Sequence, residues 1–356
     1  MIMTLVKIDK QQWANGLETL KKSFQLFGPA KEKDYYSFKS LDAGEQPELG
    51  FSNTRLSSKA LLFPQSDAVI QFSLDENDAD HHIMKPVEKD NSPRAVIGIR
   101  PCDAKAVTLV NLNFDTDAYK DPYWIEALES TTFVGLACDA PRSTCFCTST
   151  GCGPYNEEGL DVLLVDDGNH YLVKVLTDKG QALLDTAGWN TPADNGAETE
   201  TRQKAAEGKI VSAVETDNLK NQDLMALHGA SFWEDVAFAC LNCGTCTYTC
   251  PTCWCFDLQD EVHGKSGKRM KNWDSCMFPL FTKHTTGHNP RGTKTQRLRQ
   301  RFMHKLKYFV DKYDTGIMCV GCGRCVSQCP VNIDIRKICN LMNSYSAADA
   351  TCAVNE

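Results

Sequence analysis

Cys240, Cys243, Cys246 and Cys250 are followed by Pro251. Seventy-nine residues later the same run returns as Cys319, Cys322, Cys325 and Cys329, followed by Pro330. Thiolates are soft ligands that select zinc, copper(I) or iron–sulfur clusters. Structural zinc is normally held by two C-x2-C pairs. Spacings of two, two and three residues, closed by proline, are instead those of bacterial 4Fe–4S sites. Three close cysteines wrap one face of a cubane. In two-cluster ferredoxins the fourth cysteine of each run serves the other cluster. The expected ligand sets are therefore Cys240, Cys243, Cys246 and Cys329 for one cluster, and Cys319, Cys322, Cys325 and Cys250 for the second. Gly244 and Gly323, after the second cysteine of each run, allow the backbone to turn and its amides to approach the sulfurs. The competing reading is two zinc ribbons with spare cysteines.

Other thiols lie outside the runs. Cys102, Cys138, Cys145 and Cys147 fall at or just past expected strand ends, where α/β sheets place their sites. They are expected either to hold a third cluster or metal, or to be small buried hydrophobes. Cys152 fits this group less well. Cys253 and Cys255 extend the first run as Cys-Pro-Thr-Cys-Trp-Cys. Two readings stay open for them: thiol chemistry or tuning of a cluster, and simple packing beside one. Cys276, Cys339 and Cys352 carry no signal. His288 suits either a hydrogen bond to a cluster or partner, or a capped turn.

These residues need a frame. The chain has 356 residues, a length that suits two or three domains. Gln11 to Phe27 is predicted as a helix, stopped by Gly28-Pro29. Strands are predicted at 35–41, 60–63, 68–74, 95–99 and 131–136, with a helix over 104–112. A hairpin is predicted where 160–165 and 171–176 flank Asp166-Asp167-Gly168-Asn169. Residues 191–201 are predicted as a loop, with helices from there to Ala239. Lys294 to Tyr313 is predicted as a helix whose apolar stripe runs through Leu298, Phe302, Leu306, Phe309 and Tyr313. The fold class expected is α+β: an α/β-type domain over 1–190, a helical connection over 191–230, and an α-helical dicluster ferredoxin domain over 231–356.

Cysteine usage and charge are both lopsided. Residues 1–239 hold five cysteines and 240–356 hold thirteen. No secretory signal is legible, and a reducing cytoplasm favours metal-bound thiols over disulfides. Val262 to Lys312 holds thirteen Lys and Arg against Asp274 and Asp311, a surplus of eleven. The overall net of −8 then leaves −19 elsewhere. A buried cubane with four thiolates is anionic and needs compensating charge. Arg291, Lys294, Arg297, Arg299 and Arg301 are candidates to supply it, to dock an acidic partner, or simply to be solvated.

Several functions find no support. Gly151-x-Gly153 lacks the third glycine of a dinucleotide fingerprint. Gly264 to Arg269 lacks the first glycine of a phosphate loop, because position 262 is Val262. An acidic chain without a recognition motif argues against nucleic acid. The longest apolar runs are too short for a membrane span.

The 68 residues between Pro251 and Met318 exceed the gap of a small ferredoxin. They resemble the helical insert of α-helical ferredoxin domains, as in iron–sulfur subunits of fumarate reductase and heterodisulfide reductase. A closer likeness rests on Arg100-Pro101-Cys102-Asp103, the stretch 144–149, and the stretch from Cys250 to Asp257. Trp273-Asp274-Ser275-Cys276, His288-Asn289, the stretch from Arg297 to Phe302 and both cysteine runs add to it. From about Leu56 to Ile335 the sequence resembles the iron–sulfur β subunits of cytoplasmic sulfhydrogenases (nickel–iron hydrogenases that also reduce sulfur) and the related A subunits of anaerobic sulfite reductases. The resemblance implies a cytoplasmic, non-catalytic subunit. It would pass single electrons between a flavin-containing subunit and a catalytic oxidoreductase subunit. In that family the position of Cys152 is more often another residue, so the resemblance assigns Cys152 no role. Two other readings are a stand-alone thiol- or sulfur-reducing enzyme and a subunit of a heterodisulfide reductase-like complex. A cluster-based redox sensor is a third, but no signalling module is visible.

Overall fold

The computed structural model describes residues 5–193 and 196–346, so Cys352 lies outside the described residues. Two sheets organise the chain. The larger is formed by β1 (Leu5–Asp9), β2 (Gln25–Lys31), β3 (Tyr36–Ser40), β6 (Arg94–Ile99), β7 (Thr131–Leu136), β8 (Val162–Asp166) and β9 (His170–Val175), in the order β1-β9-β8-β7-β6-β2-β3. The four central strands β8, β7, β6 and β2 are parallel, and the outer strands are antiparallel. Every residue of β7 is buried, as is all of β6 beyond Arg94. This is the pattern of parallel strands covered on both faces. Leu17 and Leu20 of helix Lys10–Leu20 and Leu183 and Leu184 of helix Asp178–Ala187 fill one layer with Ile97, Val134 and Leu164. Helices Pro101–Phe114 and Pro122–Glu129 contribute Val107, Val110 and Trp124 to the core on the other side.

The first helix ends earlier than its periodicity predicts. Leu20 is followed by a turn, and Gly28-Pro29 lies inside β2. Phe27 lies in β2, and Phe24 in the turn before it. Residues 58–61 form a short 3-10 turn, and helix Gly196–Glu207 begins inside the predicted 191–201 loop. The remaining predicted strands and the 166–169 hairpin form close to their expected bounds.

The second sheet joins β4 (Ser66–Ser73) and β5 (Lys85–Pro86) to β10 (Phe256–His263) and β11 (Ser266–Trp273), in the order β10-β11-β4-β5. The segment between the two cysteine runs is therefore not wholly helical: its first part is a hairpin. Gly264 takes φ +61° at the first position of its two-residue turn, a place where glycine is favoured. Phe256, Leu258 and Val262 alternate as a strand requires. Arg269 binds Asp260 bidentately across the hairpin, at 2.8 and 2.9 Å. β11 pairs with β4, so one sheet combines strands from both sides of residues 191–230. Past the hairpin, residues 294–313 are helical as predicted. Leu298, Phe302, Leu306 and Phe309 are buried, and a π turn spans His304–Tyr308. The fold thus mixes helices and sheets, with the cysteine-rich lobe at its C-terminal end. Among the described residues no helix is long and apolar enough to cross a membrane.

One ion pair ties the cysteine lobe to the large sheet. Arg324, between Cys322 and Cys325, binds Asp103 of the helix after β6 at 2.5 and 2.7 Å. Both side chains are essentially inaccessible, at 0 and 1%. The remaining guanidinium donors reach Thr54 and Asn53. Asp103→Leu leaves a buried unpaired cation. We expect it to lose about 3–5 kcal/mol, measured by anaerobic urea unfolding. Asp103→Leu combined with Arg324→Met should recover part of that loss. A single-variant loss no larger than that of a surface pair would show that the contact does not hold the halves together.

Candidate metal centre

The two cysteine runs adopt the same local geometry. Asn242 and Gly321, each just before a second cysteine, have φ +52° and +62°. Gly244 and Gly323, just after, have φ +76° and +70°. A left-handed residue on each side of the second cysteine curls the chain tightly before the short helices Thr245–Tyr248 and Arg324–Ser327. Amides turn towards sulfur in the loops. Asn242 N–H donates to Cys240 Sγ at 3.4 Å, and Ile333 N–H donates to Cys329 Sγ at 3.2 Å.

The thiols collect in two adjoining cavities, and the collection crosses between runs. Cys240, Cys243 and Cys246 share one cavity with Cys329. Cys319, Cys322 and Cys325 share the other with Cys250. Cys325 also borders the first. Cys243 is exposed, whereas Cys250 and Cys319 are buried. Burial pushes the Cys246 thiol up to about 11 and the Cys322 thiol up to about 12. Metal binding must therefore displace their protons.

Five of the thirteen basic residues in the 262–312 stretch are internal. Lys271, Arg297, Arg301, Lys305 and Lys307 are all buried. Of the five candidates named from sequence, only Arg301 borders both motif cavities. Arg297 is spent on the carbonyls of Met277, Arg291 and Gly292. Arg299 binds His228 O and Lys294 binds Phe238 O. Two further cations escape a reading by motif. Lys305 is one helical turn beyond Arg301. Its ammonium donates to Thr252 Oγ1 at 2.5 Å and to Met318 O at 3.1 Å. Burial alone would depress it, but the negative charge of Cys250, Cys253 and Cys319 as thiolates outweighs burial and raises it. Lys59 donates to Cys253 O at 2.8 Å from nearly 200 residues away. The i, i+4 spacing from Arg301 signals Lys305, and nothing local signals Lys59.

The N-terminal thiols gather against the distal run. Cys102 opens the helix after β6, and Cys138, Cys145 and Cys147 follow β7. Both groups therefore stand at carboxyl ends of adjacent parallel strands. Phe146 N–H donates to Gly321 O at 2.9 Å. A Cβ on Gly321 would come within 2.4 Å of Cys147 N, and one on Gly323 within 2.5 Å of Thr144 O. Only glycine lets these loops touch. The Cys145 thiol lies 3.8 Å from Cys322 O. Burial first, then Cys152, Cys145 and Cys138, push the Cys147 thiol up. Cys152, set apart in the sequence reading, thus stands among the group. His288 sits exposed in a turn, its carbonyl accepting from His284 N–H at 2.8 Å. Cys276 and Cys339 are buried in the C-terminal core.

Comparison with known proteins agrees with this geometry. Residues 239–333 match the 4Fe-4S dicluster domain family. Over 345 residues the chain is 28% identical to sulfhydrogenase 2 subunit beta of Pyrococcus furiosus, covering 94% of this chain and 97% of that protein. The chain is an iron–sulfur protein that resembles, along nearly its whole length, the β subunit of a sulfhydrogenase.

Proposed function

We propose that this chain is an electron-transfer subunit of an oxidoreductase complex. It would carry one 4Fe–4S cluster on Cys240, Cys243, Cys246 and Cys329, and a second on Cys319, Cys322, Cys325 and Cys250. The observation that carries this reading is the exchange of Cys250 and Cys329 between the two cavities. Such crossing is the ligand pattern of dicluster ferredoxins. It suits two cubanes joined by a shared wall better than two separate zinc ribbons. Each cluster supplies one-electron chemistry when bound. The protein's own part is to hold the thiolates, offset their charge with Arg301 and Lys305, and aim amides at sulfur.

The docking end of the path follows from exposure. Cys243 is exposed, and Phe238 and Leu241 beside it are 83 and 65% exposed. A surface cluster with an apolar rim is where a redox partner docks. The second cluster would sit inward, against the N-terminal thiols. Cys102, Cys138, Cys145 and Cys147, with Cys152 beside them, are the candidates for a third cluster that extends the path through the large sheet. The relative is a sulfhydrogenase subunit, and the family resemblance of the sequence implies, as partners here, a flavin-containing subunit and a catalytic oxidoreductase subunit of a cytoplasmic complex. Native mass spectrometry of the complex from its source should return a hetero-oligomer. A monomer that turns over a small substrate unaided would remove the relay reading.

Two variants test the cluster assignment. Cys250→Ala should damage the cluster of the distal run and spare that of Cys240, Cys243 and Cys246, as read from resolved EPR signals. Loss confined to the proximal cluster would mean that each run closes on itself. Arg301→Gln removes a buried positive charge beside both clusters, which disfavours the more negative reduced state. Redox titration should show both potentials falling by on the order of 60 mV, roughly 1.4 kcal/mol per electron. Unchanged potentials would assign Arg301 a packing role only.

A further inference from the structure

A third thiol-lined cavity adjoins the two motif cavities. Cys253, Cys255 and Cys276 border a space of about 240 Å³, lined by none of the eight motif cysteines. That is far more than one water's share of about 30 Å³. Its other polar walls are cationic or neutral: Arg291, Gln300, Arg301, His304 and Lys305 line it, and no carboxylate does.

The cavity holds unmet donors. Arg301 is 3% exposed, and its Nε is buried without a hydrogen-bond partner. Trp254 Nε1, on the same wall, is also buried and unpartnered. Lys59 adds a third buried cation through its bond to Cys253 O. Buried cations and orphan donors call for an anion. The π turn His304–Tyr308 interrupts the helix at this wall, and such irregularities recur at functional sites. Burial first, then Lys305 and Arg291, push His304 down to about 4, leaving an uncharged ring on this side.

We propose that Cys253, Cys255 and Cys276 hold a further iron–sulfur cluster of the four-iron type, its fourth iron facing the Gln300 and His304 side of the cavity. Three soft ligands converging from one loop and from the end of the hairpin suit iron and sulfide. On assembly the three S–H bonds break, three Fe–S bonds form and the protons leave to solvent. Arg301 Nε and Trp254 Nε1 are then placed to donate to the anionic centre, as groups around cluster sulfurs do. Arg301 walls all three cavities, and Lys305 walls this one and that of Cys250. The site therefore stands as a branch off the proposed two-cluster path. Its open iron is the feature that the motif sites, with four cysteines each, do not offer.

The test uses the full chain, reconstituted anaerobically with equal amounts of ferric and ferrous iron and with sulfide, which together make up the core at its ordinary oxidation level. Iron, acid-labile sulfide and EPR spectra of the reduced protein are measured for wild type, Cys255→Ser, Cys276→Ala, Cys243→Ala and the control Cys339→Ala. Cys255→Ser and Cys276→Ala should each lose about four irons and one set of signals. The signals removed by Cys243→Ala should persist in both, which also reports that the fold survives. Unchanged iron in both variants would overturn the proposal. So would a Cys255–Cys276 disulfide, or alkylation of all three thiols in the loaded wild-type chain. A loss in Cys276→Ala with none in Cys243→Ala would instead count against the motif clusters and leave this site standing.

Discussion

The buried pair between Arg324 and Asp103 is the contact on which the arrangement of the molecule depends. Arg324 lies inside the second cysteine run and Asp103 opens the helix that follows β6. Burial alone would depress the guanidinium, but Asp103 and the Cys322 thiol outweigh burial and raise it. A charge held that far from water is tolerable only in place, so the two halves of the chain have one relative position. Glycine at 321 and 323 completes the fit, since any larger residue would collide with the 144–147 loop.

Around that joint the protein solves an electrostatic problem. Thiols crowd the interior of the C-terminal lobe, and the cations that face them come from two separate places. Arg301 and Lys305 belong to one helix face, and Lys59 arrives from the N-terminal half. Of the basic stretch, Arg301 and Lys305 serve this internal compensation. Surface steering therefore rests on the exposed remainder and on the apolar rim around Cys243.

The second sheet has a mechanical consequence. Because β4 and β11 are neighbours, the segment between the cysteine runs cannot move independently of residues 66–73. The hairpin also sets Trp273 against Phe63, at 6.3 Å between ring centroids, with the Lys59 ammonium 4.1 Å from the Trp273 ring. The loop that carries Cys253 and Cys255 is thereby fixed from both sides. The outermost strand, β10, carries Asp257, Asp260 and Glu261 towards solvent, the usual defence of an open edge.

What the sequence by itself determined was the local chemistry. Two runs with fixed thiol spacing and glycine at matching positions specify cluster loops, because ligand geometry within a few residues is set by bond lengths and allowed dihedrals. The strands at 94–99 and 131–136 and the hairpin at 166–169 were legible for the same local reason: their signals are contiguous. The helix at 10–20 ends short of its sequence period because, although Phe24 and Phe27 continue that period, Phe24 lies in the turn after it and Phe27 in β2. The 256–273 hairpin is hard to read locally, because Asp260 interrupts the alternation of Phe256, Leu258 and Val262 and Ser266–Trp273 is mostly polar. Only the tertiary structure brought Cys145 beside Cys322, Lys59 beside Cys253, and Cys276 into one cavity with Cys255. Those contacts span from about twenty to nearly two hundred residues. No local preference encodes them; they follow from which apolar faces and buried charges can be satisfied together.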